Sequence, residues 1–286
     1  MILITGATGR TGNEVAKKLA MQGIPVRALV RNAVKAAPLA AAGIELAIGD
    51  AADASSVLNA LKGVKKIAII LPNSEQQFTM EKHLTDLSVQ AGVKHILKIS
   101  SIEAEPDAHA ATHRTHWDSE QHIRASGLTW TMVRPSFYMQ NFLSNAATIK
   151  AEGKFYYPFG ATGCAVLSDS SDAGAFAAHC LSTAGHENKS YNVSSADRLS
   201  FHQAAEVLSR ELGRKIEYVP QDATAYKAFL GRFLTSKWHL DAVCEIFAEI
   251  EAGYVGATTN TFREIMGREP TSLAQFIQRY AQVFQP

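Results

Sequence analysis

Met1-Ile-Leu-Ile-Thr-Gly6-Ala-Thr-Gly9-Arg-Thr-Gly12 is the stretch on which the fold turns. An apolar, β-branched run enters three glycines at G-x-x-G-x-x-G spacing, and Asn13 to Gln22 follows with Val15, Leu19 and their alanine neighbours at helical spacing. The reading is a strand, a tight turn and a helix start. Gly6 allows the sharp turn, Gly9 lets a phosphate approach the backbone, and Gly12 lets helix and strand pack closely. The helix N-terminus then offers N–H groups and the positive end of a dipole to a pyrophosphate. Thr8, Arg10 and Thr11, between the glycines, belong to the same cradle. Loops of this composition also occur without a ligand; the strand before and the helix after are the context that makes this one a dinucleotide cradle.

Val26-Arg-Ala-Leu-Val30 is the next strand, and at its end, 19 residues past Gly12, stands Arg31. A fold that binds NAD carries an acid there for the ribose 2′-OH, whereas an arginine suits the 2′-phosphate of NADP. Lys35 adds a second cation. Taken without the glycine turn, the same two residues are solvated charges at a helix start.

With 286 residues and 47% apolar content, the chain can bury a substantial core. Its net charge of +1 gives no bias toward nucleic acid or a membrane surface. No apolar run approaches the ~20 residues of a bilayer span, the longest being Ile67 to Leu71. A strand beginning at Met1 leaves no room for a signal peptide, and Cys164, Cys180 and Cys244 form no framework of pairs, so a cytoplasmic location is expected.

From Gly43 the alternation of strand and helix continues. Ile44 to Ile48 reads as a strand ended by Gly49-Asp50, and Ala54 to Leu61 as a helix. Lys66 to Leu71 is a strand stopped by Pro72, and a helix from about Glu75 shows Met80, Leu84, Leu87 and Ala91 on one face. His95 to Ile99 ends in Ser100-Ser101, and Thr129 to Arg134 is halted by Pro135. Repeated βα units imply an α/β, Rossmann-type, doubly wound parallel sheet over residues 1–135. Ligands then belong at the carboxyl ends of the strands: Gly6 to Gly12, Arg31, Asp50 and Ala51, Leu71-Pro72-Asn73, Ser100 and the segment after Arg134.

Residues 136–286 read as a smaller, mainly helical lobe with segments returning to the core sheet, forming a substrate cleft with it. A helix is expected to open at Ser136, with Phe137, Tyr138, Met139 and Phe142 divided between pocket and core. The turn-rich loop Gly153 to Gly163, with Phe155 and Tyr156, is a candidate pocket wall. Asp169 to Leu181 is a helix, and strands at Ser190 to Val193 and Lys215 to Val219 flank a helix capped by Ser200 and Gln203. Ala223 to Ile250 reads as one helical stretch whose stripe of Val243, Ile246, Phe247 and Ile250 suits a homodimer, and Ser272 to Phe284 as a final helix.

Together these motifs carry a family resemblance. GATGxxG at Gly6 to Gly12, Val30-Arg31-Asn32, Gly49-Asp50, and Ser126-Gly-Leu-Thr-Trp-Thr131 through Arg134-Pro135 to Asn141-Phe142 resemble the NmrA-like branch of atypical short-chain dehydrogenases. Within it the chain is similar to bacterial NADPH-dependent quinone and triphenylmethane-dye reductases, which share a histidine and glutamate at the spacing of His116 and Glu120 and a tyrosine matching Tyr138. The likeness extends to Gly185 through Tyr191 and to Gly267-Arg-Glu-Pro270, and Asp172 matches a structural acid. It implies NADP(H) as cofactor, with NAD(H) weaker, a small-molecule substrate, and His116 and Tyr138 as the candidate catalytic pair.

The departures bear on the chemistry. Typical short-chain dehydrogenases place Tyr-x-x-x-Lys on the helix after the fifth strand, to protonate a carbonyl oxygen. Between Ser101 and Gly127 this chain has neither tyrosine nor lysine; in the register that the resemblance to the dye and quinone reductases implies, His116 replaces the lysine and Thr112 the tyrosine. The expectation is hydride transfer to an acceptor that is already a strong electrophile, a quinone or other conjugated molecule, with positioning supplying most of the catalysis. The alternative is an NmrA-like redox sensor that binds cofactor without turnover and acts through a protein partner. His109 and His113, at i, i+4 spacing, raise the thought of a metal, but no H-E-x-x-H or cysteine partner accompanies them, and no metal is expected.

Arg31 supplies the first prediction. A charge-assisted contact is worth about 1.5–3 kcal/mol, so NADPH should bind roughly one to two decades more tightly than NADH. Arg31→Ala should erase that margin; equal dissociation constants in the wild-type protein remove the arginine's assigned role.

Overall fold

The computed structural model describes residues 1–160 and 163–286. Ala161 and Thr162, in the expected pocket wall, lie outside the described residues. In chain order the first elements are β1 (Ile2–Ile4), α1 (Arg10–Met21), β2 (Val26–Val30), α2 (Ala33–Ala41), β3 (Glu45–Ile48), α3 (Ala54–Ala60), β4 (Lys66–Ile69), α4 (Gln77–Gln90), β5 (His95–Ile99), α5 (Ala111–Ala125) and β6 (Thr129–Pro135). Next come β7 (Phe137–Tyr138), a 3-10 helix (Met139–Asn145), α6 (Ala146–Glu152), β8 (Lys154–Tyr157), β9 (Cys164–Ser168), α7 (Ser170–Ser182), β10 (Lys189–Val193) and β11 (Arg198–Ser200). The chain ends with α8 (Phe201–Leu212), β12 (Glu217–Pro220), α9 (Ala223–Leu230), α10 (Lys237–Glu251), α11 (Thr261–Met266), α12 (Leu273–Arg279) and α13 (Ala281–Phe284). Among the described residues no helix is long and apolar enough to cross a membrane.

Two compact units divide these elements. The first comprises residues 1–106, 114–134 and 171–192. Its seven-stranded sheet has the order β10-β6-β5-β4-β1-β2-β3, and the five pairs from β6 to β3 run parallel. From β1 the chain moves outward to β2 and β3, then returns to lay β4 on β1's other side. The direction of winding therefore reverses between β1 and β4, the switch point at which Rossmann-type sheets hold ligands. Both faces of a parallel sheet are covered by helices, so its strands are apolar without alternation: Ile67, Ala68 and Ile69 are all fully buried. Leu3, Leu29, Val57, Leu84, Ile96, Ile123 and Met132 complete one side of this core.

Helix α4 departs from the apolar face expected of it. Leu84 and Leu87 are buried, but so are Gln77, Glu81, Thr85 and Ser88, while Met80 is half-buried and Ala91 exposed. The inner stripe is largely polar, and it carries part of the interior network described below.

The second unit comprises residues 107–113, 135–170 and 193–286. Two small sheets, β11-β9-β7 and β12-β8, combine with helices around an aromatic core. Phe142, Phe155, Tyr157, Phe159, Phe201, Tyr218, Phe276 and Phe284 are all buried there. Phe142 is centred 5.7 Å from Phe155, and Phe159 4.4 Å from Phe201. Burial pushes the Tyr157 phenol up, and its hydroxyl donates to the Asn141 carbonyl at 2.8 Å, so the one polar atom of a core ring is satisfied.

Several expected helices differ. The segment opening at Ser136 is strand and 3-10 helix because Phe137 and Tyr138 pair in parallel with Leu167 and Ser168, and the Ser136 N–H donates to Ser168 Oγ at 2.9 Å. The stretch from Ala223 to Ile250 is two helices: α9 ends at Gly231, and Ser236 caps α10 by accepting from the His239 N–H. Tyr280 separates α12 from α13. The stripe on α10 also faces inward. Ile250 is buried and Ile246 and Phe247 pack partly against the aromatic core, while Val243 is half-exposed. Capping of α8 by Ser200 and Gln203 is a reciprocal capping box, as read from the sequence.

Phe142 tests the core assignment. With 1% of its surface exposed, Phe142→Ala should cost about 3–5 kcal/mol of unfolding free energy in urea and leave the acceptor KM of the folded protein unchanged. A raised KM with stability intact makes it a pocket wall instead.

Candidate functional site

The glycine turn is shaped by contacts that leave no room for side chains. Gly6 has φ +63°, a left-handed conformation that glycine adopts freely, and a Cβ there would run into the Ile70 carbonyl just past β4. A Cβ on Gly12 would strike the Gly6 carbonyl oxygen, with the Gly6 carbonyl carbon only 2.7 Å away. Gly9 is different: it is the N-cap of α1, and a Cβ on it would meet only the Gly6 oxygen, at 3.2 Å. Its N–H donates to Gly6 O at 2.9 Å and its carbonyl accepts from the Asn13 N–H at 2.9 Å.

The α1 N-terminus carries no side-chain cap and no acid in its first turn, and Thr8, Gly9 and Arg10 are exposed. The first N–H groups of a helix lack intrahelical partners, so this end is open to an anion. Helix α7 braces it: a Cβ on Gly174 would lie 2.9 Å from the Thr11 carbonyl oxygen. Asp172, on the same helix, is buried.

The parallel register brings the other predicted loops to the same sheet edge. Arg31 follows β2 directly and is exposed; Asn32 Oδ1 accepts from the Lys35 N–H at 3.0 Å, so Lys35 lies in the first turn of α2. Asp50 is exposed after β3, its Oδ1 accepting from the Ala52 N–H at 2.9 Å, and Ala51 beside it is half-buried. Beyond β4, Leu71 is half-buried and Pro72 and Asn73 are exposed.

Ser100, at the end of β5, is buried and donates to Glu120 Oε1 at 2.6 Å. Glu120 is 0% exposed and also accepts from Arg134 Nε and Nη2, at 2.8 and 2.6 Å, and from Arg124 Nη2 at 3.1 Å. Burial opposes the Arg134 charge, but the hydrogen bond and charge of Glu120 outweigh it and raise its pKa. Arg124 lies over the Trp130 ring at 4.3 Å. This clamp ties α5 to β5 and β6, and it occupies the hydroxyl proton of Ser100.

His116, 7% exposed, lies on α5 with Nδ1 3.2 Å from Gln77 Nε2. Gln77 Nε2 is also 3.3 Å from Glu81 Oε1, and Lys98 Nζ reaches both oxygens of Glu81 at 2.6 Å. Lys98, Glu81 and Gln77 escaped the sequence reading. The available signals were a lysine inside the apolar strand His95-Ile-Leu-Lys-Ile99 and two polar residues one turn apart on α4.

In the second unit, Tyr138 and Phe137 are half-buried in β7. Phe137 packs edge-on against Phe142, Tyr157 and Phe201. Two of the five pocket candidates, Phe142 and Phe155, are core residues at 1% and 0% exposure; Phe142 lies on the inner side of the 3-10 helix, and Phe155 on the buried face of the strand Lys154–Tyr157 that replaces the expected open loop. Tyr156 is half-buried with its hydroxyl donating to Glu152 at 2.7 Å. His109 and His113 do not converge: His113 Nδ1 lies 2.6 Å from Glu249 Oε2, and His109 packs on Tyr254.

Comparison with known proteins agrees with this architecture. A model of the NmrA-like family matches residues 1–277. The chain is 34% identical to an NAD(P)H azoreductase of Xenophilus azovorans over 99% of both chains. Among solved structures it is similar to an NADPH-dependent quinone oxidoreductase of Escherichia coli complexed with NADPH, with TM-score 0.88 and 27% identity over 98% of this chain and 100% of that one. It is also similar to the Citrobacter sp. triphenylmethane reductase complexed with NADP(H), with TM-score 0.87 and 26% identity over 98% and 99%.

Gly9 separates cofactor binding from folding. Gly9→Val sets a branched side chain where phosphate would approach while meeting only one backbone atom of the turn, so NADPH affinity should fall more than tenfold with the melting temperature nearly unchanged. Normal binding in this variant moves the cradle elsewhere.

Proposed function

This chain belongs to the NmrA-like family, and from that premise we propose that it is an NADPH-preferring oxidoreductase that transfers hydride to a quinone, an azo compound or another conjugated electrophile. The observation that carries the reading is the glycine cradle at the β1–β4 switch point, open to an anion and free of acids, with Arg31 at the end of β2. The cradle fits a dinucleotide: the Gly6 and Gly12 contacts leave no space for side chains, and Gly9 presents bare backbone.

When bound, the nicotinamide supplies a hydride. Thr8 to Gly12 would hold the pyrophosphate through backbone N–H groups, Arg31 and Lys35 the 2′-phosphate, and Asp50, Ala51 and Leu71 to Asn73 the adjoining loops. Ser100 is committed to Glu120, and α5 carries no tyrosine or lysine, so a ketone has no ready proton donor of the usual kind. A quinone or azo acceptor needs less help, because its conjugation takes up the incoming charge and protonation can follow. His116 is assigned as a hydrogen-bond donor to the acceptor or the nicotinamide ribose, and Tyr138 as a second polar group. The sensor reading is favoured only by the missing Tyr and Lys. Steady NADPH oxidation with a panel of quinones, azo dyes and triphenylmethane dyes supports the enzyme; binding without turnover supports the sensor.

If positioning dominates, His116→Ala and Tyr138→Phe should each lower quinone turnover by less than the roughly 10²–10⁴-fold typical of general acid–base catalysis. Loss of kcat beyond that range at unchanged KM, in either variant, would identify a committed acid and overturn this mechanism.

A further inference from the structure

The buried chain Lys98, Glu81, Gln77, His116 lies wholly in the first unit and has a fixed hydrogen-bond direction. Lys98, 0% exposed, donates to both oxygens of Glu81, itself 1% exposed, and an ion pair so placed leaves Glu81 as an acceptor only. The atom of Gln77 facing Glu81 must therefore be its NH₂ nitrogen. Turning the amide over would set its carbonyl oxygen against a carboxylate. The same nitrogen faces His116 Nδ1, so its second N–H points to the ring and Nδ1 must accept. A neutral imidazole whose Nδ1 accepts carries its proton on Nε2.

The amide holds this orientation at a cost. Gln77 is 0% exposed and its Oε1 has no hydrogen-bond partner among the described residues. An orphaned buried carbonyl is unfavourable, and the compensation visible here is the pair of bonds its nitrogen makes. A buried ion pair is itself a weak source of stability, so a role in fixing orientation explains the arrangement better than strength alone.

We propose that Lys98, Glu81 and Gln77 are positioning residues that lock His116 as the neutral Nε2–H tautomer, presenting Nε2–H as a donor. The catalytic use of that donor rests on the function proposed above; the tautomer does not. A protonated Nδ1 would set two N–H groups against each other 3.2 Å apart.

Two-bond ¹H–¹⁵N spectra of the cofactor-free protein labelled with [¹⁵N]histidine read the tautomer directly, with His116 assigned by the signal lost in His116→Gln. The wild-type protein at neutral pH should show Nε2 protonated and Nδ1 bare. Gln77→Met, similar in size and lacking the donor, should move the Nδ1 resonance toward the protonated range. A wild-type Nδ1 that carries a proton overturns the proposal without any variant, so a Gln77→Met that fails to fold does not protect it. A folded Gln77→Met with unchanged His116 shifts overturns it as well.

Turnover separates the second link. Gln77→Met should lower kcat no more than His116→Ala does, and should cause no further loss in the His116→Ala background. A further loss there means Gln77 acts by another route and overturns the positioning role. If the tautomer moves while neither variant alters quinone turnover, the tautomer lock is supported and the role of His116 in the reaction is overturned.

Discussion

The close approach of Gly12 to the Gly6 carbonyl, and of Gly6 to the Ile70 carbonyl, is the constraint from which the first unit is built. Backbone meets backbone at the point where β1 turns into α1 beside the end of β4. A side chain at either glycine would force α1 away from the sheet. The contact therefore does two things together: it packs the first helix on the first two central strands, and it leaves the α1 N-terminus at the switch point without covering its N–H groups. The rigid packing and the anion-accepting surface have one cause. Gly174 repeats the principle, since its lack of a side chain lets α7 lie against the first turn of α1.

Beneath this edge the interior is unexpectedly polar. Two buried carboxylates organise it: Glu120, gathering Ser100, Arg124 and Arg134, and Glu81, gathering Lys98 and Gln77. Apolar residues of similar volume would often be no less stable at such positions. What ion pairs and charged hydrogen bonds add is direction. An apolar contact leaves a helix free to rotate or slide by fractions of an ångström, whereas Ser100 after β5 and Arg134 on β6, both donating to Glu120, fix the register of α5 against those strands. His116, one turn before Glu120 on that helix, inherits the fixed register.

The legible part of the molecule was the part governed by local periodicity and by glycine. Strand and helix alternation to Pro135, the glycine turn and the position of Arg31 follow from residue spacing, which reports on backbone conformation one turn or one pleat at a time. The capping box at Ser200 is local in the same way. The illegible part depends on contacts between residues far apart in sequence. Phe137 and Tyr138 become a strand because they meet Leu167 and Ser168, and nothing in Ser136 to Phe142 announces that pairing. Phe142 and Phe155 look the same in sequence whether they line a pocket or fill a core; only Phe201 and Tyr157 beside them decide it. The polar face of α4 was hidden for a related reason: apolar periodicity marks Leu84 and Leu87, but Glu81 is buried by virtue of Lys98, on a different element.

The fate of Ser100 shows how that network bears on chemistry. In a short-chain dehydrogenase of the usual kind, a tyrosine on the helix after the serine-ended fifth strand protonates the carbonyl oxygen, so hydride transfer and charge neutralisation occur together. Here the serine proton is turned inward to Glu120, and the helix supplies histidine and threonine instead. Positions that could act on a substrate have become part of the scaffold. Such a site can lower a barrier chiefly by holding donor and acceptor in reach, a contribution that is large only when the acceptor can carry negative charge on its own. On the function proposed above, the same buried carboxylate that gives α5 its register would favour conjugated electrophiles as acceptors, because it takes the Ser100 proton out of play.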